Sequence, residues 1–177
     1  MLMGIFGGLG SGKTLTLTYF LWKYRRNPVY ANYHLAFKHD YIENPEDLLA
    51  VSQGYLGLDE LWAWMDSRVS GSKKNRILGH FLLTSRKRNC HVLYTTQHFK
   101  QVDVRVRNIT DILVFPKYDS KSKTLAIEMV SQYDPKFHRK FSIDARPLFK
   151  IYNTNEEIKY QAGSDDCGVS HPKKKRW

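Results

Sequence analysis

The run Gly7-Gly8-Leu9-Gly10-Ser11-Gly12-Lys13-Thr14 constrains this chain more than any other feature. It fits the pattern GxxxxGK[ST], for which a chance match in a chain of this length has odds on the order of one in a hundred. Its surroundings fit as well. The apolar run Met1 to Phe6 before it suits a buried parallel strand. Gly12 to Arg26 after it reads as a helix, with Leu15, Leu17, Phe20 and Leu21 among the apolar positions and Asn27-Pro28 ending it. A loop between such a strand and such a helix wraps phosphates with backbone N–H groups, and it needs glycines because residues with a Cβ do not reach the required angles. The helix N-terminus adds a positive dipole. Lys13 is placed to bridge the β- and γ-phosphates of ATP, and Thr14 to offer its hydroxyl to Mg²⁺. The expected nucleotide contacts are Gly8, Leu9, Gly10, Ser11, Gly12, Lys13, Thr14 and Leu15.

The rest of the chain alternates in the way such a loop requires. Val29 to Phe37 is rich in aromatic and β-branched residues and predicts a second strand. Asn44-Pro45-Glu46-Asp47 starts a short helix through about Ser52, Tyr55 to Leu58 is a strand, and Ile77 to Lys87 a helix. His91 to Thr96 and Asp111 to Phe115 are further strands, separated by a basic turn or short helix over Lys100 to Asn108. This order predicts an α/β fold with a largely parallel central sheet and helices on both faces. Asp66 to Asn75 holds serines, a glycine and two lysines and reads as a mobile loop. Beyond Pro116, the polar turn Lys117 to Lys123 between two extended runs predicts a β-hairpin, with extended pieces at Phe141 to Ile143 and Leu148 to Tyr152. The chain thus divides into an ATPase domain over 1–162, with a β-rich extension at 117–155, and a flexible basic tail over 163–177.

Two further strand ends carry chemistry. Tyr55-Leu56-Gly57-Leu58 runs into Asp59-Glu60. An Asp there can hold the Mg²⁺ shell, and an adjoining Glu can polarise an attacking water. An acid pair at a strand end is also a common helix cap, so the phosphate loop is what gives this one its meaning. The strand His91 to Thr96 ends in Gln97, whose amide can sit between the γ-phosphate, the water and the second acid. Kinases that pass phosphate to a bound acceptor have no need of a water-activating Glu. Hydrolytic motors do.

The combination of Gly7 to Thr14, Leu58-Asp59-Glu60, Thr84-Ser85-Arg86-Lys87-Arg88-Asn89, Val92-Leu93-Tyr94-Thr95-Thr96-Gln97 and Val102-Asp103 with Val106-Arg107 resembles the HerA/FtsK superfamily of DNA-pumping P-loop ATPases. Within it the chain looks most like the zonula occludens toxin-like phage assembly proteins and the small packaging ATPases of membrane-containing viruses. Leu148 to Thr154 is similar to the aromatic-Tyr-Asp-Thr ending of the toxin-like members. The resemblance covers about residues 1–155. It implies a P-loop NTPase fold of the RecA-like (ASCE) kind and assembly as a homo-oligomeric ring, usually a hexamer, around DNA. It also implies an arginine finger from the neighbouring subunit, for which Arg86 and Arg88 are the first candidates, with Arg105 and Arg107 behind them. A viral genome, double-stranded, and a capsid or membrane-vesicle partner come with the same likeness. Phage assembly relatives carry a transmembrane helix after the ATPase domain. The longest apolar runs here, such as Ile77 to Leu83, fall far short of the ~20 residues of a spanning helix. A packaging motor in the host cytoplasm and associated with the virion is therefore expected.

Composition agrees with this reading and locates it. The chain has 177 residues, enough for one core, with 28 Lys+Arg against 17 Asp+Glu and a net charge of +11, which favours a polyanionic partner. Residues 1–60 carry five basic and six acidic side chains, whereas residues 68–91 carry seven basic ones and no acid. That second segment is where DNA or a neighbour's nucleotide is expected. Cys90 and Cys167 are too few for a disulfide framework or a zinc knuckle and point to a reducing compartment. Trp62, Trp64 and Met65 read as core or subunit contact, Tyr118, Tyr133 and Tyr160 as ordinary strand aromatics, and Lys173 to Arg176 as a phosphate-binding tail. Three alternatives stay open: a phage-assembly (DNA extrusion) ATPase of the same superfamily, a small nucleotide kinase, and a nucleic-acid-binding regulator switched by ATP.

Overall fold

The computed structural model describes residues 1–64 and 73–153, without the side chain of Lys74. Eight strands, β1 (Leu2–Phe6), β2 (Val29–Ala31), β3 (Asp40–Tyr41), β4 (Gly54–Leu58), β5 (Cys90–Thr96), β6 (Ile112–Asp119), β7 (Thr124–Ser131) and β8 (His138–Asp144), form one sheet. Their order is β3-β2-β4-β5-β1-β6-β7-β8. The pairs from β3 across to β6 are parallel, and β7 and β8 add to that edge as an antiparallel meander.

Alternation along the strands divides the apolar residues between two faces. On one face Met3 and Ile5 of β1 and Leu93 of β5 pack with Leu15, Leu17, Phe20 and Leu21 of helix α1 (Lys13–Lys23) and with Leu125 and Ile127 of β7. On the other, Leu2, Phe6, Val92 and Tyr94 pack with Leu78, Phe81 and Leu82 of helix α2 (Lys73–Thr84) and Val106 of helix α3 (Val104–Ile109). Each fully buried Leu, Ile or Phe contributes roughly 1.5–3 kcal/mol, so α1 alone is held by several times the propensity differences within it. The α/β architecture with helices on both faces is the one the sequence predicts. Trp64 is buried in the α2 face and Trp62 is partly exposed. Among the described residues no helix is long and apolar enough to cross a membrane.

Four local expectations are revised. The strand expected over Val29 to Phe37 stops at Ala31, because the buried Asn32 turns its amide to the backbone of Asp59. Helix α2 already begins at Lys73, so Lys73, Lys74 and Asn75 belong to a helix; residues 66–72 lie outside the described residues, as do Met65, Tyr160, Cys167 and the tail with Lys173 to Arg176. The hairpin forms, but Lys117, Tyr118 and Asp119 remain in β6, paired with Ala126, Leu125 and Thr124. Its turn is tightened by Asp119, whose carboxylate accepts from Lys121 N at 2.9 Å and from Ser122 Oγ at 2.7 Å. Leu148 to Tyr152 is not a strand. Pro147 starts a 3₁₀ turn at Leu148–Lys150, and Tyr152 then makes a single antiparallel bridge to Leu35. The segment after β8 therefore returns across α1 as a strap from one side of the sheet toward β2.

Candidate active site

Four elements end at one edge of the sheet. β1 leads into the glycine loop, whose Gly10 and Gly12 have φ of 73° and 91°, in the left-handed region where a side chain is strained. A Cβ added at Gly8 or Gly10 would meet nothing within 4 Å, so the loop is open toward solvent, as a cradle for phosphates must be. Lys13 Nζ donates to the carbonyl of Gly8 at 3.0 Å, folding its charge over the loop. The Ser11 hydroxyl is buried without a partner.

β4 delivers Asp59 and Glu60. The register that sets Leu58 opposite Tyr94 brings Asp59 level with Thr95, and the hydroxyls on both sides converge on it. Thr14 Oγ1 donates to Asp59 Oδ2 at 2.9 Å and Thr95 Oγ1 to Oδ1 at 2.6 Å. Asn32 fixes the backbone of the same residue, accepting from Asp59 N at 2.7 Å and donating to Asp59 O at 2.9 Å. Glu60 sits at φ 49°, ψ 57°, a left-handed conformation that costs a non-glycine residue of order 1–3 kcal/mol, and its N–H donates to Thr95 Oγ1 at 2.8 Å. Thr95 thus holds both acids at once. Gln97 follows the end of β5, where Thr96 pairs with Phe6, and so lies at the level where the glycine loop begins.

The electrostatics match a site short of positive charge. Burial is the largest influence on Asp59 and pushes its carboxyl above the ordinary range, against the hydrogen bonds from Thr95 and Thr14 and the charge of Lys13. Glu60 is raised too, first by burial and then by the charge of Asp59. Burial lowers the Lys13 ammonium, opposed by both acids. A buried carboxylate beside a hydroxyl is a set of hard oxygen donors, and its unfavourable charge is relieved by a divalent cation. Thr14 and Asp59 therefore fit Mg²⁺.

Arg86 and Arg88 are not part of this constellation. They precede β5, at the opposite edge of the parallel sheet, and cannot reach the glycine loop of their own chain. Arg86 pairs with Asp111, which also accepts from Leu2 N at 2.7 Å. Arg88 Nη1 donates to the carbonyls of Leu49 and Val51 at 3.0 and 3.1 Å, with its guanidinium over the Phe81 ring. Arg105 is held by Asp103, the N-cap of α3, with Nη2 to Oδ2 at 3.0 Å.

Sequence reasoning missed Asn32 and passed over Thr95. Thr95 had a visible signal, a hydroxyl residue where the apolar run Val92 to Tyr94 ends; Asn32 had none, since only the adjacency of β2 and β4 brings it to Asp59. Tyr118 was read as an ordinary strand aromatic, yet its N–H donates to Ser11 O at 3.0 Å, tying the extension to the glycine loop.

No protein-family model matches the chain, and no curated protein matches it in sequence. Solved structures do. The N-terminal domain of zonular occludens toxin from Neisseria meningitidis superposes with a TM-score of 0.60 at 19% identity, covering 85% of this chain and 98% of that one. The genome packaging NTPase B204 from Sulfolobus turreted icosahedral virus 2, solved with sulfate, gives 0.54 at 12% identity, over 80% of this chain and 94% of that one. The pCW3 conjugation coupling protein TcpA, solved with ATPgS, gives 0.54 at 13% identity, over 84% of this chain and 64% of that one. The chain has the fold of the P-loop NTPases.

Proposed function

We propose that this chain is a P-loop ATPase that couples ATP hydrolysis to movement of DNA, working as a homo-oligomeric ring in viral genome packaging. The observation that carries hydrolysis is the hydrogen-bonded chain Thr14–Asp59–Thr95–Glu60, which joins the phosphate loop, both acids and the strand leading to Gln97. For DNA the support is the likeness to a packaging NTPase and a conjugation coupling protein, with exposed Lys73 and Arg76 on α2.

Lys13 leaves the Gly8 carbonyl for the β- and γ-phosphates, a stronger partner for an ammonium than a neutral oxygen. Loop N–H groups and the start of α1 receive the remaining phosphate charge. Thr14 and Asp59 are the residues that would hold Mg²⁺, which when bound would supply positive charge to the phosphate oxygens. Glu60 accepts the proton of the attacking water, for which its raised affinity for protons suits it, and Gln97 orients that water and registers loss of the γ-phosphate. Arg86 or Arg88, both remote from the glycine loop of their own chain, completes a neighbour's site.

The test is steady-state phosphate release with and without double-stranded DNA at two salt concentrations. Strong, salt-sensitive stimulation is expected. No hydrolysis overturns the reading in favour of an ATP-switched regulator, and phosphate appearing on a nucleoside monophosphate overturns it in favour of a kinase. Glu60→Gln is expected to keep ATP binding and lose turnover. A phage-assembly ATPase is the second reading, favoured by the zonular occludens toxin domain; sedimentation with host membranes rather than with capsids decides for it.

A further inference from the structure

The order β4-β5-β1-β6 gives the nucleotide a direction. The acids end β4, so the terminal phosphate belongs on that side of the glycine loop. The nucleoside end then leaves on the other side, toward β6, where the polypeptide is aromatic. Tyr118 stands on β6 against the start of α1, close enough that a Cβ on Gly12 would lie 3.1 Å from its own Cβ. Phe149, on the strap that returns across α1, meets the Tyr118 ring edge to face at a centroid distance of 5.8 Å. Phe149 is 37% exposed, Tyr118 half-buried. The backbone bond from Tyr118 to Ser11 keeps this pair in fixed relation to the loop that holds the phosphates.

We propose that Tyr118 and Phe149 form the platform on which the nucleotide base stacks, a reading that rests on ATP occupying the glycine loop. Every base has a π-face, so stacking adds affinity with little choice among bases. The extension beyond the parallel sheet thereby becomes part of the binding site: β6 brings one ring, and the strap brings the other from a distant point in the chain.

Inorganic tripolyphosphate with Mg²⁺ tests this beside ATP and GTP, because it needs the loop and not the platform. The wild-type chain is expected to bind both nucleotides more tightly than tripolyphosphate, and to bind ATP and GTP within about threefold of each other. Phe149→Ala and Tyr118→Ala are expected to weaken both nucleotides about tenfold while tripolyphosphate binding is unchanged, and Tyr118→Phe to keep nucleotide affinity. Unchanged nucleotide affinity in both alanine variants overturns the platform and leaves the loop reading intact. Equal loss for nucleotide and tripolyphosphate also overturns it, since the rings then only support the loop. If neither ATP nor tripolyphosphate binds the wild-type chain, the failure lies in the proposed function beneath it.

Discussion

The two edges of the parallel sheet treat charge in opposite ways. At the edge where the strands end, Asp59 is buried at 7% exposure, and its neighbours are hydroxyls and one lysine. At the edge where the strands begin, Arg86 is paired with Asp111, and Arg88 is spread over two carbonyls and a ring. The first edge holds two carboxyls in a strained, desolvated place, where an incoming cation would relieve their charge. The second has its charges matched within the chain, mostly in contact with water. A fold bears the first arrangement only where something else is to bind, and the second arises wherever a helix end meets a strand start.

The comparison breaks if the two edges respond alike to substitution. Glu60→Gln is expected to cut phosphate release by about 10²–10⁴-fold, the range for a positioned general base, with folding unaffected. Arg86→Ala, by contrast, is expected to change stability by no more than about 1 kcal/mol, as for an exposed ion pair, yet to lower turnover of the assembled form by about 10³-fold. Mixing Arg86→Ala with Glu60→Gln subunits then restores activity, since one supplies the acids and the other the guanidinium; unchanged turnover in Arg86→Ala alone removes that residue from the neighbour's site. Thr95→Val keeps shape but strands the Glu60 N–H and removes a donor from Asp59, so denaturant unfolding is expected to show a loss of about 1–3 kcal/mol, with turnover down more than tenfold. Neutralising Lys73 and Arg76 together is expected to reduce the salt slope of DNA binding by about 2 while ATP affinity holds.

The smallest effect concerns Cys90, buried at 1% exposure where β5 begins. Burial raises its thiol from the ordinary 9.0 to about 11. Because the folded form keeps its proton longer than the unfolded one, the contribution to stability is full below pH about 9 and is lost as pH rises toward about 11. In a Cys167→Ser background, a thiol reagent at pH 8 is expected to react only as fast as the chain unfolds.

Much of this was legible from the sequence because the signals are local. A glycine loop, an apolar run closing in two acids and a strand ending in Gln97 each depend on neighbours a few positions away. Strand ends were less legible. Val29 to Phe37 has the composition of one long strand, and only the demand of Asp59 for a partner stops it at Ala31. Lys117 and Asp119 look like a turn, yet cross-strand pairing with β7 and the bond from Tyr118 to Ser11 keep them extended.

By itself, then, the sequence determined the α/β class, the glycine loop between strand and helix and the acid pair that closes β4, since strand and helix periods and glycine's freedom at positive φ are properties of short segments. Tertiary structure alone decided that Asn32 and Thr95 hold Asp59, that Arg86 and Arg88 lie away from their own chain's site, and that Tyr118 meets Phe149 beside the loop. Each of these is a contact between residues far apart in the chain, fixed by the strand order β4-β5-β1-β6 and by the strap's return across α1, which no local pattern encodes.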